Sequence, residues 1–279
     1  MSKLDQLIRF LTDASGLERT FRFLQALTQT ILFIPPSQSL ILYILAFITP
    51  APFPEKLPKT LTPKTIAILS ALRTRFALGR RFFRIARFLD AFNQAWSKYH
   101  GTQHKGVVEW LDISAKSFNG MYLLLETATF PEALAVEGLG VWGKHVKSAN
   151  VEAQRFWFFA LACGVLGAAV KLWRGEGKGK GKGKGGGEKG KVRKGEKEGS
   201  GKGEKEKEIG EEIKVKEKEK ADKLKKWKVQ RRMVADALDL VVPGAVVGWI
   251  PASQGTVGLV MLLSTWLTGL EVWEKCEGK

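Results

Sequence analysis

The stretch Leu240 to Leu270 reads LVVPGAVVGWIPASQGTVGLVMLLSTWLTGL, and no charged residue interrupts its 31 positions. A straight helix of this length measures about 46 Å, which exceeds the roughly 30 Å hydrocarbon core of a bilayer. Pro243 and Pro251 interrupt the helix, because proline lacks the backbone donor that a helix interior needs. We therefore predict a broken first part, Leu240 to Ile250, followed by a membrane span from about Gly255 to Trp273.

Small residues recur along this predicted span. Gly255, Gly258 and Gly269 leave a surface on which another helix can approach closely. We predict that they mediate helix association and that the protein forms a homo-oligomer. The alternative is a buried helical hairpin in a soluble core, although the rest of the chain offers little apolar surface to cover it.

A second charge-free run extends from Phe156 to Val170. The run is short for a membrane span, but basic residues flank it, and their long side chains can reach the lipid headgroups. The fold class that follows is all-α. It is a helical membrane protein with N-terminal amphipathic helices and one or two transmembrane helices.

The tract between the two apolar segments, residues 175–228, consists mainly of glycine, lysine and glutamate. Because the tract has so few apolar side chains, their burial could not offset the conformational entropy lost on folding. We therefore predict a disordered loop. Composition then divides the chain into an amphipathic helical region (1–153), a first membrane segment (154–174), this tract, and a C-terminal membrane segment (229–279) with its broken first part.

The formal net charge of +17 points to a polyanionic partner. We predict an anionic phospholipid membrane and no nucleic acid, since no aromatic platform or folded nucleic-acid reader accompanies the basic residues. His100 and His104 have the spacing of two metal ligands on a helix, but Gly101 interrupts that helix and no third ligand lies nearby. We expect no metal, no cofactor and no catalytic residues, and hence no enzyme.

The clearest periodic pattern lies within residues 64–96. Bulky apolar side chains recur at intervals of three and four, and arginines recur on the opposite helical face. Such a helix can lie in a membrane interface, with its apolar side chains below the headgroups and its arginines near anionic phosphates. The residues predicted to bind lipid are Arg73, Leu78, Arg80, Arg81, Phe82, Arg84, Ile85, Arg87, Leu89, Phe92 and Trp96. The same periodicity fits an apolar face that packs on other helices, with the arginines in solvent.

The N-terminal stretch GLERTFRFLQ, residues 16–25, resembles a motif of the peroxin eleven family of peroxisomal membrane proteins. The residues that match this motif in register are Gly16, Glu18, Arg19, Arg22 and Gln25, whereas Leu17 and Ala26 depart from it. The stretch 72–84 resembles the family's second basic block. Phe156-Trp157 fits the region before its first membrane segment, and residues 239–243 with 255–269 resemble its C-terminal block.

The resemblance implies a peroxisomal integral membrane protein that elongates and tubulates the membrane before division, and that self-associates. The amphipathic stretch from about Arg73 to Trp96 is the part expected to enter the leaflet. The implied partners are a peroxisomal membrane-protein import receptor and the division machinery.

Two other functions stay open. One is a channel or transporter of the organelle membrane, which predicts ionisable residues facing a pore. The other is a tether that recruits partners through the Lys/Glu tract. Two membrane spans place both termini on one side, and the resemblance implies that this side is the cytosol, so that the tract 175–228 faces the organelle interior. The positive charge of the tract favours the cytosol instead, and a re-entrant or single-span arrangement would remove this conflict.

Overall fold

The computed structural model describes residues 3–35, 38–39, 61–101, 106–136, 139–174 and 203–277, with side chains from residue 217 onward in the last range. Every secondary-structure element among these residues is a helix, and they contain no strand, which confirms the all-α class. The helices are α1 (Lys3–Thr12), α2 (Ala14–Phe33), α3 (Pro63–Phe82), α4 (Arg87–Gly101), α5 (Val107–Ala128), α6 (Phe130–Ala133), α7 (Val146–Trp173), α8 (Gly203–Asp239), α9 (Val241–Val247) and α10 (Gln254–Glu277), with a short 3-10 helix (Gly143–His145) before α7.

Local capping chemistry sets where two of the N-terminal helices begin. Asp13 precedes α2, and its carboxylate accepts a hydrogen bond from the backbone N–H of Ser15 at 3.0 Å. Thr62 precedes α3 and accepts from the backbone N–H of Thr65 at 3.3 Å, while Pro63 occupies the first turn. These side chains satisfy donors that every helix leaves unpaired at its N-terminus.

The helices pack as two neighbouring groups that α8 joins. In one group α5 packs along α4 and α7, and in the other α2 packs along α3 and α10. Helix α8 contacts both α7 and α10. A small apolar core of Ala91, Tyr122, Leu123 and Ala153 holds the first group together, and the ring of Tyr122 stacks on Trp157 with ring centroids 5.3 Å apart.

The C-terminal apolar stretch is broken before the predicted span, between residues 248 and 253, which include Pro251 but not Pro243. Helix α9 contains Pro243 and ends at Gly248, whose φ of 86° is the left-handed conformation that glycine adopts without strain. Pro251 follows, and α10 begins at Gln254. Two helical stretches, Gly143–Trp173 and Gln254–Glu277, are long and apolar enough to cross a membrane. The predicted interruption and the two apolar spans are thereby confirmed at the level of helix length and composition.

Helices α7 and α10 run in the same direction, because α8 is antiparallel to both. Along α8, Lys228 lies 3.3 Å from Glu274 of α10, and Arg232 further on lies 3.5 Å from Glu271, so residue numbers rise on α8 as they fall on α10. Asp236 of α8 lies beside Gly164 of α7, and the chain beyond α8 continues towards the start of α7, where Trp249, just after α9, contacts Phe158. The C-terminal ends of α7 and α10 therefore lie at the same end of the bundle.

The predicted association glycines have different surroundings. A Cβ at Gly255 would lie 2.9 Å from Ile34, and one at Gly258 would lie 2.8 Å from the hydroxyl of Thr30, so both glycines let α10 approach α2 of the same chain. A Cβ at Gly269 would meet nothing within 4 Å. Association between copies through these glycines stays a prediction, and two of the three are already covered by α2.

The amphipathic pattern of residues 64–96 does not form one continuous helix. Helix α3 ends at Phe82, residues 83–86 form turns, and α4 begins at Arg87. Ala86 has a φ of 65°, a left-handed conformation that costs an L-residue about 1 kcal/mol or more. The expectation of an uninterrupted helix is therefore wrong. Periodicity gives the residues that share a face but does not detect a turn that keeps them in register.

The predicted boundary between the tract 175–228 and the C-terminal segment 229–279 falls inside helix α8. Residues 175–202 of the predicted loop lie outside the described residues, and from Gly203 the chain is helical up to Asp239. Lysine and glutamate are good helix formers, which accounts for helix in the glycine-poor half of the tract.

Candidate membrane-binding face and charged interior

Three bulky apolar side chains of the α3–α4 pair point away from the protein, whereas other rings of the pair, such as Phe83 and Phe92, pack against Phe21 and Gly120. Phe82, Leu89 and Trp96 expose 63%, 60% and 64% of their surface. The other members of the predicted apolar stripe are exposed or half-buried: Ile85, Leu78 and Phe92. Transfer of such side chains from water into an apolar phase is favourable by about 25 cal/mol per Å², so this row is a candidate membrane-binding face.

The arginines on the opposite face of the pair turn inward. Arg80 is buried, and its Nη1 donates to the side-chain oxygen of Gln25 on α2 at 2.6 Å. Arg84 donates through Nη1 to the hydroxyl of Tyr122 at 2.8 Å and through Nη2 to Glu126 at 2.7 Å, both on α5. At these two positions the expectation of arginines in solvent does not hold, because neighbouring helices supply the partners that make burial of the charge tolerable.

Glu18 lies at the centre of the inward-facing arginines. Its carboxylate is buried and lies 3.9 Å from the Nε atoms of both Arg80 and Arg84. Arg19 and Arg87 approach the other carboxylate oxygen to 3.8 and 3.7 Å. All four distances exceed hydrogen-bond length, so Glu18 compensates the positive charge chiefly through its field.

A second buried ion pair links three helices. Arg22 of α2 donates through Nη2 to the carboxylate of Asp239 at the end of α8 and to the hydroxyl of Ser264 on α10 at 3.3 Å. All three side chains are buried. The contact therefore ties the N-terminal motif to the stretch that follows the C-terminal break.

The titration behaviour of the interior follows from burial and neighbouring charge. Burial alone would raise the pKa of Glu18, but Arg19, Arg84 and Arg80 together lower it to about 2. Burial lowers the pKa of Arg80 to about 9, assisted by repulsion from Arg84 and Arg22. Burial also opposes the charge of Arg84, yet the adjacent Glu126 raises its pKa. Positive charge in this interior is thus only partly compensated.

The remaining predicted arginines keep part of their surface in solvent. Arg73 is half-buried, with its guanidinium carbon 5.8 Å from the centre of the Phe33 ring. Arg81 lies 3.7 Å from Glu126, and Arg87 has an exposed side chain. Lipid binding by any of the eleven side chains stays a prediction.

The five motif residues of α2 are brought together on its packed side. Glu18, Arg22 and Gln25 contact charged or polar partners on other helices, and Arg19 approaches Glu18. Gly16 lies against the backbone of α1, since a Cβ there would come within 1.9 Å of the carbonyl oxygen of Phe10. The family pattern did not indicate these contacts, but it singled out the residues that make them.

Sequence reasoning missed the carboxylates that receive the arginines. Glu126 is the one acid in the apolar stretch Met121 to Ala128, and Asp239 adjoins the charge-free run that begins at Leu240. An isolated acid on an otherwise apolar helix is a signal for a buried partner of opposite charge. Tyr122 and Ser264 carried no comparable signal.

A cavity of about 970 Å³ lies between these helices. Its lining includes the buried Arg22, Arg80 and Glu18, and residues of both apolar helices, such as Gly164 of α7 and Thr268 of α10. The structure thus combines exposed apolar side chains on its long apolar helices with a cluster of buried charged residues around this cavity.

These features define an all-helical membrane protein with apolar helices long enough to span and a charged interior. The sequence profile of the family Peroxisomal biogenesis factor 11 (PEX11) matches residues 56–273, most of the chain. The chain belongs to this family, which confirms the resemblance seen in its sequence. No curated protein and no solved structure gives a match.

Membership implies a role in the biogenesis and division of peroxisomes at the peroxisomal membrane. The family consists of membrane-remodelling biogenesis factors and is not a known enzyme family. The matched region begins at residue 56, so it covers the second basic block and both apolar segments but not the motif at residues 16–25. The resemblance of that motif stays a prediction.

Proposed function

We propose that this protein elongates the peroxisomal membrane by inserting the apolar side of the α3–α4 pair into one leaflet. The observation that supports this most directly is the outward exposure of Phe82, Leu89 and Trp96 together with the inward pairing of Arg80 and Arg84. A wedge of large side chains in one leaflet expands that leaflet relative to the other and bends the bilayer.

The inward position of Arg80 and Arg84 reduces the share of electrostatic attraction in the proposed binding to lipid. Arg80 and Arg84 are engaged with Gln25, Tyr122 and Glu126, so attraction to anionic lipid falls to the more exposed arginines such as Arg87. Each cation near an anionic surface contributes about 1 kcal/mol. Burial of apolar side chains therefore contributes more to membrane insertion than electrostatic attraction does.

The test is tubulation of anionic vesicles by the full chain, scored by electron microscopy. The double variant Leu89→Glu, Trp96→Glu places two charges on the proposed membrane face, and we expect at least a tenfold loss of tubules. Both positions are exposed, so the fold is retained. Ser97→Glu adds a charge to an exposed position away from the apolar row and serves as the matched control. Tubulation by the double variant at the level of the control would refute the proposal.

Anchoring and partners complete the proposal. Helices α7 and α10 hold the protein in the membrane as an integral protein. Because α2 covers Gly255 and Gly258, a second copy would use the exposed side of α10, which carries Leu259, Leu263 and Trp266. A membrane-protein import receptor and the division machinery remain the proposed protein partners.

A channel is the second candidate, and the cavity is the observation that favours it. The two apolar helices line a charged space, although their own charge-free runs contribute small and polar groups and the ionisable groups come largely from other helices. Conductance across planar bilayers that contain the full chain tests this candidate. An ohmic current that changes in Arg80→Gln would support the channel. A protein that carries no current in planar bilayers but still tubulates vesicles would exclude it.

A further inference from the structure

The floor of the cavity is formed by guanidinium groups that each retain an uncommitted donor. The Nε atoms of Arg22, Arg80 and Arg84 are buried and have no hydrogen-bond partner among the described residues. The side chains of Arg22 and Arg80 are only 5% and 8% exposed. A buried donor without an acceptor is unfavourable, so these three groups favour any acceptor that reaches them.

Other contacts hold the same three arginines in position. Arg22 is fixed through Nη2 by Asp239 and Ser264, and Arg80 through Nη1 by Gln25. Arg84 is fixed through both terminal nitrogens, as described above. The side chains therefore need little rearrangement to bind a ligand, which lowers the entropic cost of binding.

Glu18 marks the point on which the arginines converge. A single carboxylate oxygen, Oε1, lies 3.9 Å from both Arg80 Nε and Arg84 Nε. Arg22 is close enough to lower the pKa values of Glu18 and of Arg80. The carboxylate has the right sign of charge but stands too far away to accept a hydrogen bond from these Nε atoms.

The cavity as a whole carries excess positive charge and is open to solvent. Eleven Lys/Arg and seven Asp/Glu side chains of the described residues line it. The side chains of Arg87, Lys228 and Lys275 are 47%, 49% and 67% exposed, and they pair with Glu18, Glu274 and Glu271 of the same lining, so the excess positive charge comes from the remaining cations. An anion entering here moves through positive potential towards the guanidinium groups.

We infer that this cavity binds a phosphate group on the guanidinium floor of Arg22, Arg80 and Arg84, in competition with the carboxylate of Glu18. A phosphate has several acceptor oxygens on one compact centre, which suits donors that converge from α2, α3 and the turn before α4 better than a single carboxylate does. The volume also admits the organic part of a phosphate monoester. The phosphate belongs either to a lipid headgroup or to a free anion. The site does not depend on insertion of the α3–α4 face.

The test uses the full chain in a neutral detergent free of phosphate, titrated by calorimetry with inorganic phosphate and separately with dioctanoyl phosphatidate. We expect saturable binding of at least one probe, and the tighter probe identifies the source. Arg80→Gln should weaken binding at least tenfold. Glu18→Gln should tighten it several-fold, because the competing carboxylate is removed. Arg75→Gln, an exposed arginine of α3 outside the cavity, should leave binding unchanged.

The direction of the Glu18 effect separates a ligand site from a structural role. Damage to the fold cannot tighten binding, so a gain with Glu18→Gln supports the site even if Arg80→Gln fails to fold. In that case Arg80→Lys, which keeps the charge but loses Nε, replaces it and should still weaken binding. Three results would each overturn the inference: no binding of either probe, equal effects of the Arg80 variant and Arg75→Gln, or weaker binding by a Glu18→Gln protein that still unfolds cooperatively on heating.

Discussion

Arg80 and Arg84 bring positive charge into the protein, and Glu18 and Glu126 are the acids that receive it. Removal of one partner from such a group leaves an uncompensated buried charge, which costs far more than loss of a surface ion pair. The stability of the protein therefore depends on a few polar residues as much as on its apolar contacts.

The ionisation of Glu18 predicts a dependence of stability on pH. Its pKa falls from 4.5 to about 2 in the folded protein, so the folded state favours the charged form. The resulting stabilisation, about 3 kcal/mol, is fully present above about pH 5 and is lost as the pH falls towards 2. Thermal unfolding in detergent from pH 7 to 2 measures this effect. Between pH 7 and 2 the Glu18→Gln variant should lose about 3 kcal/mol less stability than the unmodified protein. The same pH profile in both proteins would show that Glu18 is not the group responsible.

The Arg84–Glu126 pair predicts a strong mutational coupling. Arg84→Gln should lower the free energy of unfolding by about 3 kcal/mol, since the buried Glu126 then loses its closest cation, at 2.7 Å, and keeps only Arg81 at 3.7 Å. The double variant Arg84→Gln, Glu126→Gln should be more stable than the sum of the single losses predicts. Chemical denaturation of the four proteins measures the coupling, and strict additivity would show that the two side chains act independently.

At the scale of elements, two features set how the helices are arranged: the turn between α3 and α4, and the α2–α10 seam, which is the close contact of α2 with α10 at Gly255 and Gly258. The apolar stripe from Leu78 to Trp96 is continuous in sequence spacing, and Phe82, Leu89 and Trp96 stay on the outer surface across the turn at 83–86, whereas Phe92 packs against Gly120 of α5. Along the seam, Gly255 and Gly258 permit a separation between helices that any larger residue would prevent.

Ala86 predicts that glycine stabilises the turn. Ala86→Gly should raise the free energy of unfolding by about 1 kcal/mol, because glycine adopts a φ of 65° without the clash of a Cβ. Ala77→Gly, inside α3, should have the opposite sign and a similar size. The melting temperatures of the two variants test this contrast. A destabilised Ala86→Gly would mean that residues 83–86 continue the helix.

The α2–α10 seam predicts opposite outcomes for two glycine substitutions on one helix. Gly258→Leu should destabilise the protein by about 1–3 kcal/mol, because the new side chain meets the backbone and hydroxyl of Thr30. Gly269→Leu is the matched control, since space is open there and leucine favours helix. Protease resistance and thermal unfolding distinguish the two. Equal tolerance would show that α10 does not pack on α2.

At the scale of the whole molecule, the parallel course of α7 and α10 changes the expected topology. Two simple spans would place the tract 175–202 on the side of the membrane opposite to the end of α10. Helix α8 instead returns the chain between α7 and α10, so Trp173, which leads into the tract, and Glu277 lie at the same end of the bundle. We predict from this arrangement that the positively charged tract and the C-terminal end of α10 lie on the same side of the membrane.

The parallel course of α7 and α10 predicts that two tags give the same result in a protease-protection assay. One tag is inserted at Gly187 and another after residue 279, in separate proteins assayed on intact peroxisomes. We expect both tags to be digested, or both to be protected, because α7, which leads into the tract, and α10 end at the same end of the bundle. Digestion of one with protection of the other would restore the simple two-span topology. A lumenal protein that stays intact until detergent is added controls for organelle integrity.

The sequence allowed prediction of features with a local cause. Pro251 and the charge-free run were enough to place the break and α10, and the spacing of Phe82, Leu89 and Trp96 was enough to assign one face. Long-range pairing was not accessible in this way. Periodicity does not say which side of a helix faces inward, and the partners that turn Arg80 and Arg84 inward lie on α2 and α5.

The link between Arg22 and Asp239 has a consequence for how the protein is made. The two residues are 217 positions apart, so at 5–20 residues per second a ribosome adds the second about 10 to 40 s after the first. During this interval α2 lacks the partners on α8 and α10 that bury its arginine. The packing of α2 is therefore completed only after α8 and α10 have been synthesised, so the buried position of Arg22 is a late product of folding.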